Sequence, residues 1–243
     1  MRLNDLDSLA LPAALATLIV ACGAATATSP VSTGPLPAGY DKFIAGTATL
    51  RTEGSVVVVQ TTDLPNHVSP YWGVGNAKYE APNPGMAPNP SSIGAQTYVF
   101  RIPATPTPAS SPVDTPMGAI GVSLNGVVFF NQYAAGRVAL GPELVSFDRF
   151  NGHPAMRNNY HYHWEPVALT QASQSALIGF ILDGYPIYGP KETTGSLASG
   201  LDACNGHTHA TTEFPGGTSH YHTVTAPPYL AGCFHGVAGI VTN

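Results

Sequence analysis

The chain has 243 residues, of which only 9% are charged, and it contains 26 glycines and 23 prolines. Its net charge of −5, with nine Lys plus Arg, excludes a basic face for nucleic acid. Few charges and many turn-forming residues are typical of short strands joined by tight turns. We therefore expect one all-β domain, an antiparallel β-sandwich or barrel-like fold with Pro/Gly-rich loops.

The N-terminus has the pattern of an export signal. Residues 9–21 are apolar apart from Thr17, a stretch too short to span a bilayer comfortably but of the length of a signal-peptide core. Residues 19–22 read Ile-Val-Ala-Cys, which resembles a bacterial lipobox, whose cysteine is lipidated and becomes the mature N-terminus. We therefore predict a signal peptide over 1–21 and a lipid anchor on Cys22.

Two alternatives stay open for this segment. Asp5 and Asp7 offset the positive charge expected before the apolar core, which leaves cleavage without a lipid as one alternative. A buried N-terminal helix is the other. An exported chain is expected to be secreted, periplasmic or held at the outer face of a bacterial membrane, with the lipid on Cys22 as its only membrane anchor. Residues 22–41 are then a flexible tether of small residues.

The β domain is expected to occupy residues 42–243. The four consecutive valines at 56–59 indicate a strand buried on both faces, and residues 97–102 indicate a second strand. Residues 76–93 and 103–116 are rich in Pro, Asn, Gly, Ser and Thr. These two segments are predicted to be irregular connections.

An internal repeat organises the rest of the domain. Residues 120–126 (Ile-Gly-Val-Ser-Leu-Asn-Gly) correspond to residues 178–184 (Ile-Gly-Phe-Ile-Leu-Asp-Gly). Asn-Gly and Asp-Gly are strong hairpin signals because they tolerate the positive φ angles of a type I′ turn. We place the first repeat at about 117–169 and the second at about 174–230, and expect a duplication with pseudo-two-fold symmetry.

Each repeat continues into an Asn-Gly-His turn and a His-x-His strand. Because alternate side chains on a strand share a face, a His-x-His step places two imidazoles on one side, roughly 6.5–7 Å apart along the chain. Imidazole ligands without carboxylates suit copper or zinc. The predicted metal ligands are His153, His161 and His163 in the first repeat, and His207, His220 and His222 in the second.

The division of these six imidazoles among metal ions stays open. They could form two sites of three, one site built on both His-x-His strands, or a dinuclear centre that bridges the halves. We expect the two His-x-His strands to face each other near the pseudo-two-fold axis.

Further polar residues are predicted to support the ligands. His67, His209 and Glu165 are predicted at positions around the metal site; His67 could instead be a ligand or a loop-packing residue, and His209 a surface residue. Asp183 stands at a hairpin turn where its counterpart is Asn125, so only one half carries the charge. Ordinary turn chemistry is the leading interpretation of Asp183, and a catalytic general base is the alternative.

Apart from Cys22, the chain contains two cysteines. In an exported chain, Cys204 and Cys233 are expected to form a disulfide. Thiolate ligation of a metal is the alternative, because His207 and His235 are close to them in sequence.

Several motifs resemble those of the YHYH domain family of exported proteins. Residues 160–163 (Tyr-His-Tyr-His) are the tetrapeptide that names the family. Ser219 departs from the pattern, since Tyr or Phe is expected before the following histidine. Similar pieces lie at 65–67, 124–127, 152–154, 183–189, 201–207, 220–222 and 228–233. The resemblance implies an extracytoplasmic domain and shared importance of His153, His161, His163, Asp183, His207, His220 and His222.

Two function classes follow from these residues. The first is a module that binds copper or zinc without catalysis. The second is a metalloenzyme, a hydrolase or copper oxidase, in which a three-histidine ion lowers the pKa of bound water towards about 7 and Asp183 or Glu165 acts as base. A structural metal in an adhesion or carbohydrate-facing domain is a third alternative. The sequence contains no nucleophile elbow and no paired-carboxylate signature, so the binding function is favoured.

Overall fold

The computed structural model of the protein describes residues 34–243. Its strands are, in chain order, β1 (Ala48–Glu53), β2 (Val56–Thr61), β3 (Tyr98–Pro103), β4 (Pro108–Asp114), β5 (Ala119–Ser123), β6 (Val128–Phe130), β7 (Tyr133–Ala134), β8 (Val138–Ala139), β9 (Gly152–Ala155), β10 (Asn159–Tyr162), β11 (Leu177–Ile181), β12 (Pro186–Tyr188), β13 (Gly206–His209), β14 (Thr218–His222), β15 (Cys233–Gly236) and β16 (Ile240–Thr242). The helical elements of this part of the chain are α1 (Val167–Thr170) and the 3₁₀ turns Tyr40–Lys42, Pro70–Trp72, Ala135–Arg137, Gly141–Ser146 and Met156–Asn158. The prediction of an all-β fold is confirmed.

Two main sheets share one hydrophobic core. The four-stranded sheet has the order β1-β2-β3-β16, and the eight-stranded sheet has the order β13-β14-β12-β11-β5-β6-β10-β9. Val57 and Phe100 of the small sheet belong to the same buried cluster as Val122, Phe129 and Phe180 of the large sheet. Neither sheet closes on itself, so the fold is sandwich-like rather than a barrel. The pairs β4–β15 and β7–β8 complete the described strands.

The large sheet is built from two equivalent halves. From its centre outward, the first half contributes β5, β6, β10 and β9, and the second contributes β11, β12, β14 and β13. The halves meet at the antiparallel pair β5–β11, in which Gly179 faces Ser123 and Ile181 faces Gly121. A Cβ atom at Gly179 would lie 2.3 Å from the carbonyl oxygen of Val122. Glycine is therefore needed where the two halves approach most closely.

Two strand pairs of the large sheet are parallel. β10 lies parallel to β6, and β14 lies parallel to β12. Parallel neighbours need a long crossover connection, which residues 131–158 and 189–217 supply. The sheet is therefore mixed, although most of its pairs have the antiparallel pairing that the hairpin signals predict.

The His-x-His strands lie at opposite ends of the large sheet. β10 and β14 are each second from an edge, with β12, β11, β5 and β6 between them. Because neighbouring strands are about 4.8 Å apart, roughly 24 Å separates the two strands. The prediction that they face each other near the axis is wrong. The apolar hairpins take the centre because their side chains can be buried on both faces, and the histidine strands are left outside them.

Two boundaries also differ from the sequence expectations. Residues 108–114 were expected in an irregular connection, but they form β4 and pair with β15. Tyr40 was placed in the tether, yet it is 3% exposed and stacks on Phe180 with ring centroids 3.9 Å apart. Burial of this aromatic ring moves the start of the packed domain to before residue 42.

The predicted signal peptide at 1–21, the lipid anchor on Cys22 and the tether up to residue 33 lie outside the described residues. Among residues 34–243, no helix combines the length and the apolar character needed to cross a bilayer.

Candidate metal centres

Each half builds the same turn before its first histidine. Asn151 and Asn205 have positive φ angles of 64° and 66°, a conformation that Asn tolerates better than most residues. The carboxylate of Asp148 accepts two backbone N–H bonds inside the first turn, and that of Asp202 does the same in the second. The unit Asp-x-x-Asn-Gly-His therefore fixes where the following strand, β9 or β13, begins.

Hairpin register then brings histidines together. His153 on β9 lies opposite His161 on β10, and His207 on β13 lies opposite His220 on β14. The third predicted histidine of each half is His163 or His222. It follows the histidine of β10 or β14 by two residues and therefore lies on the same face. We call His153, His161 and His163 the first cluster, and His207, His209, His220 and His222 the second cluster.

The three Nε2 atoms of the first cluster converge. His161 Nε2 lies 3.1 Å from His153 Nε2 and 2.9 Å from His163 Nε2. The three residues are between 1% and 3% exposed. Phe130 stacks on His161 with ring centroids 4.1 Å apart, and Phe147 contacts His153 at 4.6 Å. The cluster is therefore enclosed by aromatic rings.

Backbone carbonyls fix the tautomers of two of these rings. His161 Nδ1 donates to the carbonyl of Asn159 at 3.0 Å, and His163 Nδ1 donates to the carbonyl of Asn131. A neutral imidazole carries one proton, so these contacts leave an unprotonated Nε2 on each ring.

His153 has the same tautomer for a less direct reason. Its Nδ1 lies 2.7 Å from Ser146 Oγ, and that hydroxyl donates its only proton to the carbonyl of Glu143 at 2.7 Å. The hydroxyl must therefore accept from His153 Nδ1. All three Nε2 atoms present lone pairs, and their short contacts cannot be hydrogen bonds between neutral rings. Lone pairs this close repel each other unless a cation lies between them.

The second cluster repeats this arrangement and adds a histidine. His209 follows His207 on β13, and the two Nε2 atoms are 3.0 Å apart. One ring nitrogen from each of the four residues lies within 4.8 Å of the others. The Nε2 atoms of His220 and His222 are buried without a hydrogen-bond partner among residues 34–243. Leaving such an atom unpaired costs free energy, which a bound cation would offset.

Backbone carbonyls also set the tautomers of the second cluster. The carbonyl of Gly189, which receives His222 Nδ1 at 2.7 Å, is the repeat counterpart of the Asn131 carbonyl that receives His163. The other acceptors are the carbonyls of Ser199 for His207, Ala210 for His209 and Thr218 for His220. The duplication therefore includes groups that orient the rings, as the partners of metal-binding histidines do.

The tyrosines between the histidines point to the opposite face. Tyr160, Tyr162 and Tyr221 are 0% exposed and belong to the main core. Their hydroxyls are hydrogen-bonded to side chains, as in the contact of Tyr160 with Asp148 Oδ2 at 2.7 Å. The alternation predicted for these strands is present in the structure.

Asp183 lies on this core face and not beside the second cluster. Its Oδ2 accepts the hydroxyl of Tyr221 at 2.5 Å and the backbone N–H groups of His235 and Gly236 at 3.0 Å. Burial raises the pKa of the Asp183 carboxyl, and the hydrogen bond from Tyr221 opposes that shift. The carboxylate of Asp183 is therefore turned away from the imidazoles and engaged in the turn, which gives no support to its alternative role as a catalytic base.

The three supporting residues have different positions. His67 lies on the core face, where its Nε2 is 2.8 Å from the Tyr162 hydroxyl, so it belongs to neither cluster. Glu165 contributes its backbone carbonyl to Asn151 Nδ2 at 2.8 Å. His209, expected only around the ligands, belongs to the second cluster itself.

Sequence reasoning missed two glutamates beside the clusters. Glu143 Oε2 lies 3.8 Å from His153 Nε2, and burial raises the pKa of this carboxyl. Glu192 places its oxygens 3.4 Å from His207 Nε2 and 3.3 Å from His209 Nε2. Both lie in crossover connections outside the repeat motifs, so no sequence signal marked them. His209 did carry one, because His207-Thr208-His209 is itself a His-x-His step.

Burial keeps the imidazoles of His153, His163 and His220 neutral. It lowers the pKa of His153 to about 3 and the pKa values of His163 and His220 to about 4. Repulsion from neighbouring rings adds to the shift at His153 and His220. A neutral ring with a free Nε2 lone pair is the form that binds a metal.

These shifts predict the pH dependence of stability in the metal-free protein. Because the pKa values of His153, His163 and His220 are lowered by folding, the unfolded chain takes up protons at a higher pH than the folded chain does. The free energy of unfolding should be highest above about pH 6.5 and should fall as the pH decreases towards about 4. Urea unfolding in the presence of EDTA measures this. A free energy that is constant over the interval would contradict the burial of neutral rings.

The cysteines form the expected disulfide. Cys204 and Cys233 are bonded, with their Cα atoms 4.9 Å apart. The bond ties the turn before His207 to β15, and it removes both thiolates as metal ligands. His235, on the same strand, is instead paired with Asp202 at 2.9 Å.

Fold and clusters together define a class: an all-β protein whose duplicated halves each carry a group of histidines that could hold a metal ion. The YHYH protein family model matches residues 99–198 and 191–236, more than half of the chain. The chain belongs to this family. No curated protein and no solved structure matches the chain.

Proposed function

We propose that this protein is an exported metal-binding protein that holds two transition-metal ions, zinc or copper, one at each histidine cluster. The convergence of unprotonated Nε2 atoms carries the proposal. In the first cluster, every proton-bearing Nδ1 is directed to an oxygen, and the remaining lone pairs point at one another. A cation is the simplest partner for three such lone pairs.

The spacing of these atoms fits an ion of this size. Imidazole nitrogens bound to zinc at about 2.0–2.1 Å in a tetrahedron are about 3.3 Å apart. The separations of 3.1 and 2.9 Å around His161 Nε2 are close to that value. The all-imidazole donor set suits zinc or copper and does not suit calcium or magnesium.

Export is supported by the disulfide and by the N-terminal sequence pattern. The Cys204–Cys233 bond is typical of proteins that fold in an oxidising compartment. The signal peptide and the lipid anchor on Cys22 are parts of the same proposal. We favour the binding function over the enzymatic alternative, because the carboxylate of Asp183, one of the two candidate bases, is turned away from the imidazoles.

Elemental analysis tests this function. Protein purified from its native compartment without a His-tag should contain zinc or copper at about two ions per chain, because each cluster offers at least the three ligands of a typical site. Dialysis against EDTA should remove the ions, and added Zn²⁺ or Cu²⁺ should restore them. Protein that contains no transition metal and takes up none on addition would refute the proposal.

A further inference from the structure

The two clusters differ in their contact with solvent. In the first cluster, the rings are buried and covered by Phe130 and Phe147. In the second cluster, the side chain of His209 is 41% exposed and that of His207 is 14% exposed. The second cluster is therefore open to solvent on the side of His209.

A small cavity borders this open side. Its volume is about 20 Å³, and its lining includes Glu192, His209, His220 and His222. A space of this size admits one water molecule or one donor atom of an incoming ligand. The first cluster has no counterpart of His209, because Ala155 stands at the matching position.

Glu192 adds a carboxylate to the same opening. Its Oε1 lies 3.6 Å from His222 Nε2 and 3.4 Å from His207 Nε2, and its Oε2 lies 3.3 Å from His209 Nε2. The side chain of Glu192 is 20% exposed. The second cluster therefore offers five donor groups, and two of them, His209 and Glu192, are partly exposed to solvent.

We propose that the second cluster is an exchange site, which takes up and releases its metal ion through His209 and Glu192, whereas the first cluster retains its ion. This inference rests on the proposed metal-binding function. The cargo is Zn²⁺ or a copper ion, and the acceptor is a molecule with nitrogen or thiolate donors. An incoming donor reaches the ion at the second cluster through the cavity. At the first cluster it has to wait for a local opening of the buried rings, which costs free energy.

The rate of metal transfer tests the proposal. Zinc-loaded full-length protein is mixed with excess 4-(2-pyridylazo)resorcinol, and formation of the zinc complex is followed by its absorbance. We expect two phases of equal amplitude that differ at least about tenfold in rate, because only one ion depends on local opening. The double variant His161→Ala/His163→Ala should keep only the fast phase, and His220→Ala/His222→Ala should keep only the slow one.

A single variant tests whether His209 is a ligand of the ion that exchanges. His209→Ala should weaken zinc binding at the second cluster about tenfold or more, through loss of one ligand. It should leave unchanged the slow phase, which belongs to the first cluster. The matched control is Thr208→Ala on the same strand, whose side chain contacts Ser219 Oγ and should alter neither phase. Two bound ions that leave at one rate, or a fast phase that belongs to the first cluster, would overturn the inference while the proposed function stands. Protein that takes up neither Zn²⁺ nor Cu²⁺ would overturn both.

Discussion

Replacing His161 and His163 together by alanine is expected to lower the metal content from about two ions per chain to about one. The two changes remove the central Nε2 of the first cluster and one of its neighbours, leaving only His153. The second cluster lies roughly 24 Å away by strand count, so it should keep its ion. The equivalent variant His220→Ala/His222→Ala should also lose one ion and keep the other. Elemental analysis of both variants measures this.

Controls separate loss of ligands from loss of fold. His67→Gln removes a histidine that touches neither cluster, and it should retain both ions. A variant with all four alanine replacements should bind none. Loss of both ions in either double variant would contradict two independent sites. Retention of both ions in either double variant would remove that cluster from the proposal.

Gly179→Ala is expected to destabilise the protein strongly. A Cβ atom there would lie 2.3 Å from the Val122 carbonyl oxygen, 2.7 Å from a ring carbon of Phe129 and 2.8 Å from the Ser123 Cα. Two of these atoms are backbone of the partner strand β5, so relief requires the two halves to separate. We expect a loss of about 3 kcal/mol in the free energy of unfolding and a decrease of about 6–12 °C in Tm. Thermal and urea unfolding measure both.

The matched control is Gly141→Ala. A Cβ atom at Gly141 meets nothing within 4 Å, so the change should alter the free energy of unfolding by less than about 0.5 kcal/mol. Gly121→Ala, the symmetric partner change, would place a Cβ atom 2.6 Å from the Phe180 carbonyl oxygen and should behave like Gly179→Ala. Wild-type stability of Gly179→Ala would contradict the close approach of β5 and β11.

The local structure of each half follows from sequence signals. Asn-Gly and Asp-Gly turns predicted the central hairpins, and His-x-His alternation predicted which side chains share a face. The tyrosines of β10 and β14 are buried opposite the histidines, as alternation requires. The disulfide between Cys204 and Cys233 followed from an even cysteine pair in an exported chain.

The composition of each cluster depended on longer-range geometry. Glu143 and Glu192 reach the imidazoles from crossover connections, whose path over the sheet has no periodic signal. A catalytic base was the alternative interpretation of Asp183, because its repeat counterpart is uncharged. Its carboxylate is instead held by the Tyr221 hydroxyl and by backbone N–H groups. The face of the sheet to which the side chain of a turn residue points depends on the strands packed around it.

The sequence by itself determined the β class, the duplication and the histidines of each half, because strand alternation and turn chemistry act within a few residues. Only the tertiary structure decided that these histidines form two separate clusters and not one. The order of strands in the large sheet depends on burying both faces of the apolar hairpins at its centre. This strand order depends on burial over the whole domain, and no local sequence pattern encodes it.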